Sequence, residues 1–144
     1  MRQSGHLIDM GTKRPLEGIR IVNLGWVWAG PVVGQTLAFL GAEVFKVESR
    51  ERIDMMRTLP PFAEGKPGPD RSLSNHASWA GNGSVSLNLK EKEARQLALD
   101  LIAHSDGVIE NFGPGVMERP ELGYEQLRPV KRDIIPTSLP SPGP

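Results

Sequence analysis

The stretch "GIRIVNLGWVWAGPVVGQTLAFLGAEVFKVE", residues 18–48, decides the fold of this chain. Residues 18–25 form an apolar run that ends at a glycine, which predicts a buried strand. Pro31 suits the first turn of a helix, and the apolar residues that follow at helical spacing end at Gly41. Residues 42–48 predict a second strand. A strand, a helix and a strand within this length indicate a parallel β-α-β crossover.

The alternation of strands and helices resumes after a long interruption. Residues 49–83 show no periodicity and are rich in proline and glycine, and a segment of this kind is usually functional or mobile. Further strands are predicted over residues 84–89, 106–112 and 133–139, and helices over residues 90–105 and 124–130. One apolar face of the first of these helices comprises Ala94, Leu97, Ala98, Leu101 and Ile102. We predict an α/β fold, a Rossmann-like parallel sheet with flanking helices.

Composition narrows the class of protein. The 144 residues are 38% hydrophobic, enough for one core, and 17 basic residues balance 17 acidic ones, so no basic field favours a nucleic-acid partner. There is no cysteine, which excludes disulfides and thiol chemistry and suits a cytoplasmic location. The three histidines are scattered without metal-ligand spacing, so we expect no metal site. No apolar run approaches the roughly 18–20 residues that span a bilayer, so we expect no membrane partner.

The two ends of the chain differ from its middle. We expect residues 1–15 to be a flexible leader, residues 16–135 to form the Rossmann-like part, and residues 136–144 to be a proline-rich tail. The last nine residues, "PTSLPSPGP", contain four prolines and predict no helix to cover the final strand. Both faces of a strand in a doubly wound sheet need cover, so we expect the fold to be truncated before its remaining elements.

Two loops after predicted strands carry candidate ligand-binding residues, because ligands bind beyond the carboxyl ends of strands in open parallel sheets. Residues 26–31, "WVWAGP", precede a helix whose first amides and dipole favour anions. Alternatively, the tryptophans pack in the core or at an interface. No G-x-G-x-x-G is present, so this loop is not a dinucleotide fingerprint.

The second loop is "ENFGPGVMER", residues 110–119. Phe112 is suited to stack on a base, Asn111 to read a polar edge, and Arg119 to pair with a phosphate. The alternative is that Phe112 packs beneath the turn and Arg119 is a solvated charge.

Taken in order, the stretches resemble the class III coenzyme A transferases, the CaiB/BaiF type that includes formyl-CoA and carnitine-CoA transferases. The resemblance is carried by "PLEGIRIVNLG", "AGPVVGQTLAFLGAEVFKVE", "SVSLNLKEKEARQLALDLIAHSDGVIENFGPGVMERPELGYEQL" and "DIIPTSLP". It implies coenzyme A as the ligand, with Asn111 and Phe112 against the adenosine part and Arg119 near the phosphates. It also implies that Val27, Trp28 and Ala29 lie along the pantetheine and thioester, with the amide of Ala29 as a donor.

Three departures from the family pattern modify these expectations. Asn82 and Gly83 stand where many members have a basic pair, which could weaken nucleotide binding. Ser49 stands where some members have an arginine, so we expect Arg50 to be a shifted contact. Trp28 replaces a polar residue of formyl-CoA transferase, which favours a bulkier or more apolar acyl group than formyl or oxalyl.

The resemblance also implies a reaction, the transfer of CoA between an acyl-CoA thioester and a carboxylate through an aspartate nucleophile. In the family that aspartate lies beyond the position of residue 144, so we assign no catalytic residue and expect this chain alone to be inactive. The family forms interlocked homodimers, whose ring-forming segments we expect to be missing here. Two alternatives remain, a fragment of an α-methylacyl-CoA racemase-like enzyme and a non-catalytic CoA-binding remnant.

Overall fold

The computed structural model describes residues 13–140, in which strands and helices alternate. The strands are β1 (Arg20–Asn23), β2 (Glu43–Glu48), β3 (Gly83–Ser86), β4 (Gly107–Glu110) and β5 (Ile135–Ser138). The helices are α1 (Ala29–Phe39), α2 (Leu73–Ser78), α3 (Lys92–Ala103) and α4 (Tyr124–Val130). None of the helices in residues 13–140 is long and apolar enough to cross a membrane.

All five strands run parallel in the order β3-β2-β1-β4-β5. The chain moves outward from β1 through β2 to β3, and then returns to the other side of β1 to form β4. The strand order therefore reverses between β1 and β4, and an open crevice forms at their carboxyl ends. The predicted Rossmann-like parallel sheet with flanking helices is confirmed.

The core has two layers, one on each face of the sheet. Ile21 packs with α1 residues such as Ala38 on one face, whereas Val22, the next residue, packs with Ala98 and Ile102 of α3 on the other. This alternation follows from the two-residue period of a strand, and it explains why β1 is a continuous apolar run with both faces covered.

The apolar face predicted for α3 is only partly buried. Ala98 and Ile102, four residues apart, are fully buried, whereas Leu97 is 57% exposed. Leu97 lies about 100° around the helix from Ala98, and the contact with the sheet is too narrow to reach it. The apolar face predicted for α3 is therefore wider than the part of it that the fold buries.

The segment of residues 49–83 is built on buried polar side chains rather than on an apolar repeat. It contains two short 3-10 turns, Met55–Thr58 and Ala63–Gly65, followed by α2. The hydroxyl of Ser72 donates to the carbonyls of Met56 and Leu59 at 2.6 and 2.7 Å, and its oxygen caps α2. Hydrophobic periodicity misses such a segment because no apolar stripe forms it.

The last strand lies at the edge of the sheet. Pro136 pairs in register with Val108, and an edge position tolerates proline because the ladder needs no donor on that side. Residues 136–138, which the sequence assigned to the tail, are thus part of β5, while residues 141–144 lie outside the described residues. The predicted leader also lies outside them, apart from residues 13–15.

Candidate ligand-binding cleft

A cleft of about 600 Å³ opens at the carboxyl end of the sheet, where the strand order reverses. Its walls come from segments that follow β1, β2, β3 and β4. The apolar part of the lining consists of Leu24, Trp26, Val47, Leu87, Leu89, Phe112, Val116, Met117 and Pro120. This position and this apolar lining are those expected of a small-molecule site in an open parallel sheet.

Two aromatic rings form one wall of the cleft. Trp26 and Phe112 meet edge to face, with ring centroids 6.0 Å apart and an interplanar angle of 67°. The guanidinium carbon of Arg52 lies 4.9 Å from the centroid of the Trp26 ring, within the range of a cation–π contact. The wall therefore combines flat apolar surface with a positive charge.

The cleft lining is more basic than acidic. It includes the cations Arg52, Lys90, Arg95 and Arg119, and the carboxylates Glu48 and Glu51. Arg95 donates to the carbonyls of Leu89 and Lys90, at 3.3 and 2.8 Å, and so holds the turn between β3 and α3. The arrangement favours an anionic ligand over a neutral one.

Two of the predicted ligand residues, Phe112 and Arg119, are brought together in this cleft. Asn111 has a different environment: its Oδ1 accepts from the Trp26 amide at 2.7 Å, and its Nδ2 donates to the Trp26 carbonyl at 2.9 Å. Asn111 therefore fastens the loop after β1 to the end of β4. A contact between Asn111 and a nucleotide stays a prediction.

Arg50 lies elsewhere. It lines a separate cleft of about 430 Å³ beside Ser84 and Ser86 of β3, whereas Arg52 lines the larger cleft. No sequence signal distinguishes Arg50 from Arg52, because both stand in the aperiodic segment. Asn82 and Gly83, where a basic pair was expected, line neither cleft.

Residues 27–29 lie where α1 begins, outside the residues that line the two clefts. Trp28 is the N-cap residue of α1 and is 60% exposed, so the alternative that this ring packs in the core is wrong for the described structure. Val27 has a φ of +63°, a left-handed conformation that is rare for a β-branched residue.

A buried group of charges beneath this loop was not predicted from the sequence. The carboxylate of Asp54, which is fully buried, accepts hydrogen bonds from the Val27 amide and from the Lys46 ammonium, the latter at 2.9 Å. The Lys46 ammonium also lies 3.8 Å from the centroid of the Trp79 ring. Burial lowers the pKa of Lys46, although the hydrogen bond and the charge of Asp54 oppose this shift.

Glu48, at the end of β2, belongs to the same group of charges. Burial alone would raise the pKa of Glu48, but the hydrogen bond from Arg57 and the charge of Lys46 outweigh it and lower the pKa. Within residues 13–140, no three histidine or carboxylate side chains converge into a group that could hold a metal ion.

Known proteins are similar to this chain in sequence and in fold. An acyl-CoA transferase from Fusarium pseudograminearum is 41% identical over 86% of this chain, and a succinate–glutarate CoA-transferase from Agrobacterium fabrum is 40% identical over 92% of it. A crystal structure of a CaiB/BaiF family protein from Brucella suis superimposes with a TM-score of 0.77 at 39% identity, covering 86% of this chain.

This chain is much shorter than those proteins. It spans 28% of the length of the Fusarium protein, 34% of the Agrobacterium protein and 32% of the Brucella structure. Residues 16–143 match the sequence pattern that defines CoA-transferase family III. The match covers nearly the whole chain, and the fold is shared with a solved relative, so the chain belongs to CoA-transferase family III.

Proposed function

We propose that this chain supplies the coenzyme A-binding part of an acyl-CoA:carboxylate CoA-transferase. The observation that carries the proposal is the larger cleft, in which an aromatic wall and four cations meet where the strand order reverses. Coenzyme A combines a planar base, several phosphates and a long, thin arm. The aromatic wall suits the base, and the cations suit the phosphates.

The positions of the side chains in the larger cleft support one orientation of coenzyme A. The adenine would rest against Phe112 and Trp26, with Asn111 at the edge of this wall, and the phosphates would meet Arg119 and Arg52. The pantetheine arm would then run toward residues 27–29, with the thioester near the amide of Ala29. Arg50 remains a candidate only for ligand groups that reach the smaller cleft.

Arg52 and Lys90 provide positive charge in the larger cleft, although Ser49, Asn82 and Gly83 stand where the family resemblance predicts basic residues. Both line the larger cleft, so a serine at position 49 does not leave it without a cation beside Trp26. Asn82 and Gly83 line neither cleft, and the expectation that they weaken nucleotide binding stays a prediction.

We propose dicarboxylic acids as the acyl groups, because a relative 40% identical to this chain is named a succinate–glutarate CoA-transferase. Succinyl and glutaryl groups are bulkier than formyl or oxalyl, in line with the expectation drawn from Trp28. The name of the relative favours CoA transfer over an α-methylacyl-CoA racemase reaction. No residue of this chain is assigned as the nucleophile. That this chain alone is inactive and that it is cytoplasmic stay predictions.

Calorimetric titration of the chain with coenzyme A tests the proposal. We expect saturable binding that Arg119→Ala weakens about tenfold, because a charge-assisted contact to phosphate is lost. The matched control is Arg128→Ala, which removes an exposed arginine of α4 that lines neither cleft. A folded chain without saturable binding, or equal effects of the two substitutions, would contradict the proposed function.

A further inference from the structure

The loop between β1 and α1 is held by three side chains from three different parts of the fold. The amide of Gly25 donates to Oδ1 of Asn23 at 2.9 Å, and the amide of Trp26 donates to Oδ1 of Asn111 at 2.7 Å. The amide of Val27 donates to both carboxylate oxygens of Asp54, at 3.1 and 3.2 Å. Three consecutive amides are thus bound by side chains.

The third of these contacts acts on a strained residue. Val27 has a φ of +63°, which costs free energy for a β-branched side chain and persists only where the surroundings enforce it. Among the described residues, the Asp54 carboxylate is the hydrogen-bond acceptor of the Val27 amide. Val27 directly precedes Trp28 and Ala29, so its backbone conformation sets the direction in which their peptide groups point.

Asp54 is itself rigidly placed. It is fully buried, and its carboxylate also accepts from the Met56 amide at 2.9 Å and from the Lys46 ammonium at 2.9 Å. Lys46 lies on β2, so the contact ties the loop to an interior strand of the sheet. Other charged groups that face Asp54 are Glu48, whose Oε2 accepts from the Asp54 amide at 3.3 Å, and Arg57, which pairs with Glu48.

We infer that Asp54 is a positioning residue, which holds Val27 in its left-handed conformation so that residues 28 and 29 face the acyl end of the bound thioester. The inference rests on the proposed function, since it takes the loop to be the acyl-group side of the site. Without this carboxylate, Val27 would relax toward negative φ and turn the Ala29 amide away. The nucleotide end of the site, at Phe112 and Arg119, would be unaffected.

Two measurements on Asp54→Asn test this inference. The first is amide hydrogen exchange by NMR, in which the Val27 amide should exchange about tenfold faster than in the unsubstituted chain while the Trp26 amide does not change. The second compares the affinity for succinyl-CoA with that for adenosine 3′,5′-bisphosphate, which has only the nucleotide end. We expect Asp54→Asn to weaken succinyl-CoA binding about tenfold and the nucleotide by less than about twofold.

A second substitution that restores ligand affinity would show that Asp54 positions the loop rather than only stabilising the fold. Glycine adopts positive φ freely, so adding Val27→Gly to Asp54→Asn should restore most of the succinyl-CoA affinity. Asp70→Asn is the control, because Asp70 also pairs with Arg57 but is exposed and does not reach the loop. If Asp54→Asn fails to fold because the Lys46 ammonium loses the nearer of its two carboxylate partners, the double variant Lys46→Met with Asp54→Asn, which removes both charges together, is measured instead.

The outcomes distinguish this inference from the proposed function. An unsubstituted chain that binds neither ligand refutes the proposed function, and the inference falls with it. A chain that binds both, with the Val27 exchange rate or the affinity ratio unchanged by Asp54→Asn, refutes the inference alone. Failure of Val27→Gly to restore affinity would also overturn it, since the effect of Asp54 would then not act through Val27.

Discussion

Asn111 and Trp26, 85 positions apart in sequence, exchange two hydrogen bonds between a side-chain amide and a backbone peptide. The bonds join the loop after β1 to the end of β4, the two strands between which the strand order reverses. The crevice of an open sheet would otherwise be bounded by two independent loops. Asn111 joins the two loops that form the walls of the crevice. This connection brings Trp26 next to Phe112, the residue after Asn111, so that their rings meet.

The connection predicts the effect of Asn111→Ala. The substitution leaves the amide and the carbonyl of Trp26 without their partner, which should lower the free energy of unfolding by about 1–3 kcal/mol. Urea unfolding followed by circular dichroism measures it. Gln126→Ala, on the exposed side of α4, is the control and should change stability by less than about 0.5 kcal/mol. Equal effects of the two substitutions would show that the contact does not stabilise the fold.

A second prediction concerns two arginines of one segment. Arg52 lines the larger cleft against Trp26 and Arg50 does not, so Arg52→Gln should weaken coenzyme A binding about three- to tenfold. Arg50→Gln should leave the affinity nearly unchanged. Calorimetric titration of both variants at the same ionic strength decides between them. The reverse order would mean that the ligand occupies the smaller cleft.

A third prediction concerns Gly34, within α1. A glycine-to-alanine change inside a helix usually stabilises it by roughly 0.5–1 kcal/mol. Here a Cβ at position 34 would overlap Nδ2 of Asn23, the side chain that holds the amide of Gly25. We therefore expect Gly34→Ala to destabilise the chain by about 1–3 kcal/mol in thermal unfolding.

Gly113→Ala is the comparison for that experiment. An added Cβ at Gly113 has nothing within 4 Å, and this glycine does not have positive φ. We expect the free energy of unfolding of Gly113→Ala to stay within about 0.5 kcal/mol of that of the unsubstituted chain. If Gly34→Ala is as stable as Gly113→Ala, Asn23 has room to move and the packing argument is wrong.

A fourth prediction concerns acid stability. The pKa of Glu48 is lowered in the folded chain from its ordinary value of 4.5, so the unfolded chain binds more protons in the range between the two values. The stability that Glu48 contributes is therefore present above about pH 4.5 and is lost as the pH falls through the folded value. Unfolding free energies measured between about pH 7 and about pH 3 should fall more steeply for the unsubstituted chain than for Glu48→Gln.

The control for this pH series is Glu43→Gln. Glu43 pairs with Arg20 at the exposed amino end of β2, and an exposed ion pair contributes little. This variant should follow the pH dependence of the unsubstituted chain. A Glu48→Gln curve parallel to that of the unsubstituted chain would show that Glu48 is not responsible for acid sensitivity.

The five strands and the helices α1, α3 and α4 were predictable because each leaves a local signal. The run before Gly25 indicates a buried strand, the spacing after Pro31 indicates a helix, and their alternation leads to a parallel sheet. The helix predicted over residues 124–130 has those bounds in the structure. Leu97 shares the apolar face of α3 and is nevertheless exposed, because an apolar period shows which residues share a helix face but not how wide the contact with the sheet is.

The candidate site was predictable only in part. Phe112 and Arg119 stand in one short motif after a strand, and the cleft contains both. Arg52 and Asp54 carry no such signal, since they belong to a segment whose structure depends on buried polar contacts between distant residues. Whether Arg50 or Arg52 faces the larger cleft depends on how that segment crosses the end of β2.

The sequence by itself determined the class of fold, the approximate positions of the five strands and of α1, α3 and α4, and the family. These follow from hydrophobic spacing and from motifs in which neighbouring residues act together. Only the tertiary structure decided which cations share the cleft, that Asn111 fastens two loops, and that Asp54 holds Val27. Those relationships join residues far apart in the chain, and they depend on burial and on hydrogen-bond direction, which no local pattern encodes.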